Sequence, residues 1–219
     1  MFANSSLVRS DQVQVHPRLA EVVARHLHQT FRRTPSEAGR RAFDNIVECL
    51  RRAPFVLDAG CGTGTSTFVL ALRHPDRIVL GVDKSAVRLA VGMRSIESGE
   101  APRNALLLRC DLVDFWQLAA AAQLRCERQY LLYPNPWPKP DQLKRRWHAH
   151  PVLPSMLALG GEVEMCTNWP VYADEFAAAM TMAGIEARCE PLAVADPLTP
   201  FERKYSASGH ALWRCVSRI

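Results

Sequence analysis

Short apolar runs alternate with amphipathic stretches along most of this chain. Apolar runs that predict strands lie at 55–59, 78–82, 105–109, 128–133, 162–167, 185–190 and 210–217. Stretches with helical spacing of apolar positions fit between them, near 65–73, 85–97, 113–123, 142–158 and 171–183. Strand and helix taking turns in this way predict an α/β fold, a doubly wound and mostly parallel sheet with helices on both faces. Ahead of the first strand, residues 1–15 are polar and irregular and read as a loose arm. A helix is expected from Pro17 to about Phe31, since proline suits the first helical position. Thr34-Pro35-Ser36-Glu37 then has the form of a capping box. The helix it opens carries Ala42, Ile46, Cys49 and Leu50 at helical spacing. The expected organisation is therefore an N-terminal arm with helices over 1–52 and one α/β domain over 53–219. In such sheets ligands bind past the carboxyl ends of the strands, so chemistry is sought there.

Composition narrows the picture. Apolar residues are 48% and charged residues 22% of the 219, a globular balance. No apolar run approaches the ~20 residues needed to cross a bilayer, so no membrane association is expected. The first six residues lack the basic and apolar regions of a secretory signal. Seven cysteines are scattered without any C-x-x-C pair. The expectation is a cytoplasmic protein with reduced, mostly buried thiols. The net charge of +5 is compatible with a phosphate-bearing partner.

The first predicted strand runs into Asp58-Ala59-Gly60-Cys61-Gly62-Thr63-Gly64. Glycines at 60, 62 and 64 permit positive φ and close backbone approach to a ligand. The spacing Asp-x-Gly-x-Gly-x-Gly departs from the G-x-G-x-x-G of dinucleotide binders. Asp58 would repel a pyrophosphate but suits a cationic methionine group. Asp83 ends the second strand, where an acid can accept both ribose hydroxyls. Asp111 follows the third strand and can accept from an adenine amino group. From about Phe55 onward the chain resembles the S-adenosylmethionine (SAM)-dependent methyltransferases with a Rossmann-like seven-stranded sheet. That resemblance implies SAM as cofactor, with Asp58 and Gly60 at its methionine part, Asp83 at the ribose, and Asp111 with Leu112 at the adenine.

After the fourth strand comes Tyr133-Pro134-Asn135-Pro136-Trp137-Pro138-Lys139, a proline-stiffened loop. Asn135 offers both donor and acceptor atoms to a substrate edge. Trp137 offers a stacking face for a base. Lys144-Arg145-Arg146-Trp147-His148 follows, a basic run with an interleaved aromatic, suited to nucleic-acid phosphates. Here the chain resembles the bacterial tRNA (guanine-N7)-methyltransferases, whose loop reads Pro-Asp-Pro-Trp, a Lys two further on, then Lys-Arg-Arg. Thr167-Asn168-Trp169-Pro170-Val171-Tyr172-Ala173 resembles the family's Thr-Asp-Trp-x-x-Tyr-Ala stretch. Thr199-Pro200-Phe201-Glu202-Arg203 resembles its Thr-x-Phe-Glu-x-Arg motif. The resemblance implies tRNA as partner, Lys139 contacting RNA, and Thr199 and Glu202 holding the target guanine or the methionine end of the cofactor. Candidate catalytic residues are Asn135 and Glu202. Candidate substrate contacts are Trp137, Lys139, Lys144, Arg145 and Arg146 in one segment, with Asn168, Thr199, Phe201 and Glu202 elsewhere.

Two family acids are replaced, by Asn135 and Asn168. Both changes remove a charge and keep the shape. Guanine N7 carries an in-plane lone pair, so its methylation needs positioning rather than a base. The methylated ring is cationic, and a nearby carboxylate stabilises that charge. Three readings stay open on this pattern. The chain methylates guanine N7 in tRNA, with Glu202 supplying the negative charge. Alternatively it methylates another substrate, since Asn-Pro-Trp resembles the Asn-Pro-Pro-aromatic loop of exocyclic-amine methyltransferases. In the third reading it is an RNA- or SAM-binding module without turnover. Glu164, Asp174 and Glu175 lie near Asn168 in sequence. The basic pairs Arg32-Arg33, Arg40-Arg41 and Arg51-Arg52 either extend an RNA face or are solvated surface. His148 and His150 lack His or Cys partners at useful spacing, so no metal is expected.

Overall fold

The computed structural model describes residues 5–219. Its strands are β1 (Phe55–Ala59), β2 (Val79–Asp83), β3 (Ala105–Arg109), β4 (Cys126–Leu132), β5 (Glu162–Thr167), β6 (Ala187–Pro191) and β7 (Trp213–Arg218). They form one seven-stranded sheet in the order β3-β2-β1-β4-β5-β7-β6. β1 pairs in parallel with β2 and β4, and β2 with β3, whereas β7 runs antiparallel to β5 and β6. The expected seven strands and mostly parallel sheet are therefore present.

The chain divides into two compact units. One holds residues 33–132 with 158–161; the other holds residues up to 32, 133–157 and 162–219. The expected split at 52/53 follows sequence order, and these units interleave it.

In the first unit, every residue of β1 and β2 is buried, which suits apolar runs covered on both faces. Helices α4 (Thr65–Arg73), α5 (Ala86–Glu97) and α6 (Leu112–Ala121) follow β1, β2 and β3 in turn. Ser85 caps α5, accepting from Arg88 N, and Asp111 caps α6, accepting from Val113 N. The unit opens with α2 (Glu37–Asp44) and α3 (Val47–Arg51), one helix by expectation but interrupted at Asn45-Ile46. The capping oxygen is that of Ser36, which accepts from Gly39 N, so Thr34 is not the cap. Buried Asp114 fixes this entry, accepting from Ser36 N and Oγ and pairing with Arg33 at 3.0 Å.

In the second unit, α1 (Leu19–His28) packs on α8 (Pro170–Met182) and buries Leu19, Val22 and Val23. The single helix expected over 142–158 is absent. Two 3-10 turns, Pro140–Arg145 and Trp147–Ala149, precede a short α7 (Leu153–Ala158). Arg146 and His150 adopt extended ψ of 135° and 145°, and His150 precedes Pro151, which disfavours helix at that position. Residues 200–207, for which no helix was expected, form α9 (Pro200–Ala207) with Thr199 as its cap.

The arm is not loose over its described part. Ser10 Oγ donates to Pro138 O, Gln12 is buried, and His16 N donates to Glu175 at 3.0 Å. Residues 1–4 of that expected arm lie outside the described residues. The expectation of seven free thiols also fails at two positions. Cys189 and Cys215 face each other across β6 and β7 and are joined as a disulfide, because directly opposed cross-strand positions bring their Cβ atoms within reach.

Candidate functional site

The glycine turn forms as its sequence requires. Gly60, Gly62 and Gly64 have φ of 87°, 59° and 81°, a region that side chains with a Cβ rarely enter. Gly60 N and Cys61 N both donate to Val82 O, which fastens the turn to the end of β2. A Cβ built on Gly60 would meet only Leu112 Cδ1 at 3.9 Å, and one on Gly62 only Arg88 Nη1 at 3.9 Å. The turn is thus open to close approach, and it brings together Gly60 and Leu112, two residues singled out for the cofactor.

Asp83 stands beside this turn, 4% exposed. Its carboxylate accepts from Gly62 N at 3.0 Å and Ser85 N at 2.8 Å and pairs with Arg88 at 3.2 Å. Asp111 is partly exposed, caps α6, and lies 3.8 Å from Arg33. Asp58 is almost wholly buried, and its Oδ2 accepts from Ser66 Oγ and Thr67 Oγ1, both at 2.7 Å. Burial raises its carboxyl to about 6, partly opposed by the two hydroxyls. An open glycine turn flanked by a strand-end carboxylate is a donor and acceptor set that fits the methionine and ribose portions of SAM.

The other unit gathers the remaining motifs. Asn135 is exposed, and its Oδ1 accepts from Trp137 N at 3.3 Å, shaping the loop as a local turn. Trp137 has φ 46°, and the guanidinium of exposed Arg145 lies 4.7 Å over its ring. Lys139 and Lys144 are exposed as well. Arg146 corrects the expectation of a third phosphate contact. Its side chain is 0% exposed, paired with Glu175 at 2.6 Å, and its face lies 4.8 Å over the Trp169 ring. A phosphate has no surface of Arg146 to reach.

Glu175 also accepts from Gln12 Nε2 at 2.6 Å and pairs with His148 Nε2 at 2.9 Å. Burial alone would raise the Glu175 carboxyl, but hydrogen bonds from His148 and Arg146 and the Arg146 charge outweigh it and hold it at about 2. Burial keeps His148 below its usual range, hence neutral. Its Nδ1 has no partner among the described residues, as a neutral ring donating through Nε2 permits.

Glu202 is 3% exposed. It accepts from the Tyr133 hydroxyl at 2.8 Å and from Leu198 N. Burial, then the Glu202 charge, push the Tyr133 phenol well above its usual range, so it remains a donor. Thr199 Oγ1 accepts from Glu202 N at 2.9 Å. Asn168 Nδ2 contacts His210 Nδ1 at 3.2 Å, and His210 Nε2 contacts Ser5 O at 3.1 Å. Donation from Nε2 to that carbonyl leaves Nδ1 to accept from the Asn168 amide. Phe201 is 53% exposed and stacks on Tyr205, which stacks in turn on His210.

Tyr133, Tyr205 and His210 were not singled out in the sequence. Thr199-Pro200-Phe201-Glu202 carries the signal that would have found them. It has the Thr-x-x-Glu form of a helix start with proline at the first helical position, and the helix it starts sets Phe201 and Tyr205 one turn apart. The three basic pairs each have one member tied to an acid: Arg33 to Asp114 of α6, Arg41 to Glu37 at 2.5 Å and Arg51 to Glu48 at 2.6 Å in their own helices. Among the described residues no cluster of His, Cys, Asp or Glu is placed to hold a metal ion, and no helix is long and apolar enough to cross a membrane.

Residues 52–215 match the model of the family Methyltransf_4, described as putative methyltransferase. A tRNA (guanine-N(7)-)-methyltransferase of Leifsonia xyli subsp. xyli (strain CTCB07) is 32% identical over 176 residues, covering 74% of this chain and 75% of that protein. One of Stutzerimonas stutzeri (strain A1501) is 28% identical over 185 residues, covering 80% and 76%. The crystal structure of the 16S rRNA methyltransferase KamB superposes with a TM-score of 0.57 at 19% identity, over 80% of this chain and 93% of that one, a likeness of fold. By the family model and by the identity to these relatives, the chain belongs to the family of the tRNA (guanine-N7)-methyltransferases.

Proposed function

We propose that the protein methylates N7 of a guanine in tRNA, using SAM, in the cytoplasm. Its relatives carry that activity in their names. One observation in this chain supports it most. Three motifs spread over about seventy residues of sequence are tied together by side chains. Tyr133, at the head of the loop, is bonded to Glu202. Arg146, beyond the loop, bonds to Trp137 O and covers Trp169.

SAM supplies an electrophilic methyl group on a sulfonium. Gly60, Gly62, Asp83, Asp111 and Leu112 would hold it, with Asp58 fixing the turn through Ser66 and Thr67. Guanine N7 presents its lone pair directly, so no side chain has to remove a proton. The work is alignment of the nitrogen with the methyl group. Positive charge then spreads over the purine, and the Glu202 carboxylate, held by Tyr133 and Leu198, is the group we assign to stabilise it. Asn135 keeps the turn its family counterpart would make, without the charge. Exposed Lys139, Lys144 and Arg145 are assigned to phosphates, and Phe201 and Trp137 to base stacking.

The reading is tested by incubating the protein with labelled SAM and unmodified tRNA, then identifying the methylated nucleoside by mass spectrometry. N7-methylguanosine is expected, with Glu202→Ala slower by about 10²-fold or more, the scale of a lost preorganised charge. A different methylated nucleoside would overturn the assignment of the atom.

A further inference from the structure

Arg146 sits in a run of three cations yet spends its guanidinium wholly inside the protein. Nε and Nη2 donate to Trp137 O at 3.2 and 3.1 Å, and Nη2 also to Lys139 O at 3.3 Å. Nη2 donates to Gln12 Oε1 at 2.9 Å, while Nη1 donates to Glu175 at 2.6 Å. The Trp169 indole, next to Asn168, covers its face. One cation thus joins the loop turn, the Asn168-Trp169 turn and the N-terminal segment.

We propose that Arg146 is a positioning residue that sets the conformation of the 137–139 turn through Gln12 and Glu175 and makes no contact with RNA. Trp137 holds φ 46°, a left-handed conformation disfavoured for an aromatic side chain. Such a conformation persists where its surroundings over-determine it. Two N–H groups on the Trp137 carbonyl, opposite the Asn135 oxygen on its N–H, supply that constraint. Only a planar fork reaches two backbone carbonyls, an amide and a carboxylate together; a lysine ammonium cannot. The segment 10–16 belongs to the same device, because Gln12 bonds both Arg146 and Glu175.

The kinetic part of this inference rests on the methyl-transfer reading; the structural part does not. The test compares Arg146→Lys and the milder Gln12→Met with Lys144→Ala/Arg145→Ala. Hydrogen exchange of the amides at 137–142 should quicken in the first two variants while β1 and β2 exchange as before. In Arg146→Lys, kcat should fall about tenfold or more, as misplacement of reacting groups does, with KM for tRNA and the salt dependence of RNA binding unchanged. The double variant should show the reverse at the RNA, a salt slope shallower by about one to two. A shallower salt slope in Arg146→Lys would place Arg146 on phosphate and overturn the proposal. So would unchanged loop exchange in both Arg146→Lys and Gln12→Met. Should the wild type methylate no tRNA, the functional reading falls, and the exchange data still decide the role of Arg146.

Discussion

Two carboxylates, one in each unit, are equally hidden from water and behave in opposite ways. Asp58, 1% exposed, is met by two neutral hydroxyls and rises from 3.8 to about 6. Glu175, 0% exposed, is met by a guanidinium and an imidazole and falls from 4.5 to about 2. Burial sets the cost of charge in both; only the partners differ. Asp58 sits beside the glycine turn and accepts from Ser66 and Thr67 of the helix that follows it. Glu175 is the counter-charge of a permanent cation and has no charge left to offer a substrate.

The contrast is broken most severely by Glu175→Gln. Arg146 would keep its charge in the interior without an anion, which costs about 3–5 kcal/mol. At ~2–4 °C per kcal/mol for a chain of this size, melting should fall by roughly 6–20 °C. A drop near that of a surface substitution would show that the pair is not the anchor we describe.

The pH dependence sharpens it. For Asp58 the folded carboxyl is the weaker acid, so its contribution is fully present below pH 3.8 and lost as pH rises through about 6. That difference in acidity between the folded and unfolded chain corresponds to about 3 kcal/mol. For Glu175 the folded carboxyl is the stronger acid, so its contribution is present above pH 4.5 and lost as pH falls toward about 2. Neutral buried His148 adds to that acid-side loss below its ordinary value of 6.5. Melting curves of Asp58→Asn between pH 4 and 7 should lack the wild-type loss at the upper end and keep the acid-side loss. If the variant follows the wild-type profile, Asp58 is not the titrating group.

The same two regions explain what the sequence made legible. The glycine turn, its two flanking acids and the caps at Ser85 and Asp111 are local devices, and each residue acts within a few positions or on the next strand. Spacing alone places them. The other unit depends on contacts across long separations. Arg146 to Gln12 spans 134 residues, and Asn168 to His210 spans 42. Nothing in Lys144-Arg145-Arg146 distinguishes the arginine that turns inward, so the run read as three phosphate contacts where two side chains are exposed. The helix expected over 142–158 failed for the same reason. Its apolar spacing was real, but Pro151 and the inward Arg146 broke the register. The acids lost at Asn135 and Asn168 are not restored by Glu175, which is already paired, nor by Glu164, which bonds Arg214 at 2.8 Å. Glu202 is left as the carboxylate fastened directly to the head of the loop.

The atom that receives the methyl group distinguishes this reaction from other tRNA methylations. A guanine methylated at N7 has a cationic ring that borohydride reduces, after which aniline cuts the RNA chain at that nucleotide. Unmodified tRNA treated with the protein and SAM, then with these reagents, should be cut at one guanine, and only when both protein and SAM were present. Incorporation of methyl groups into tRNA with no cut would contradict the account and point to an exocyclic amine or another ring position.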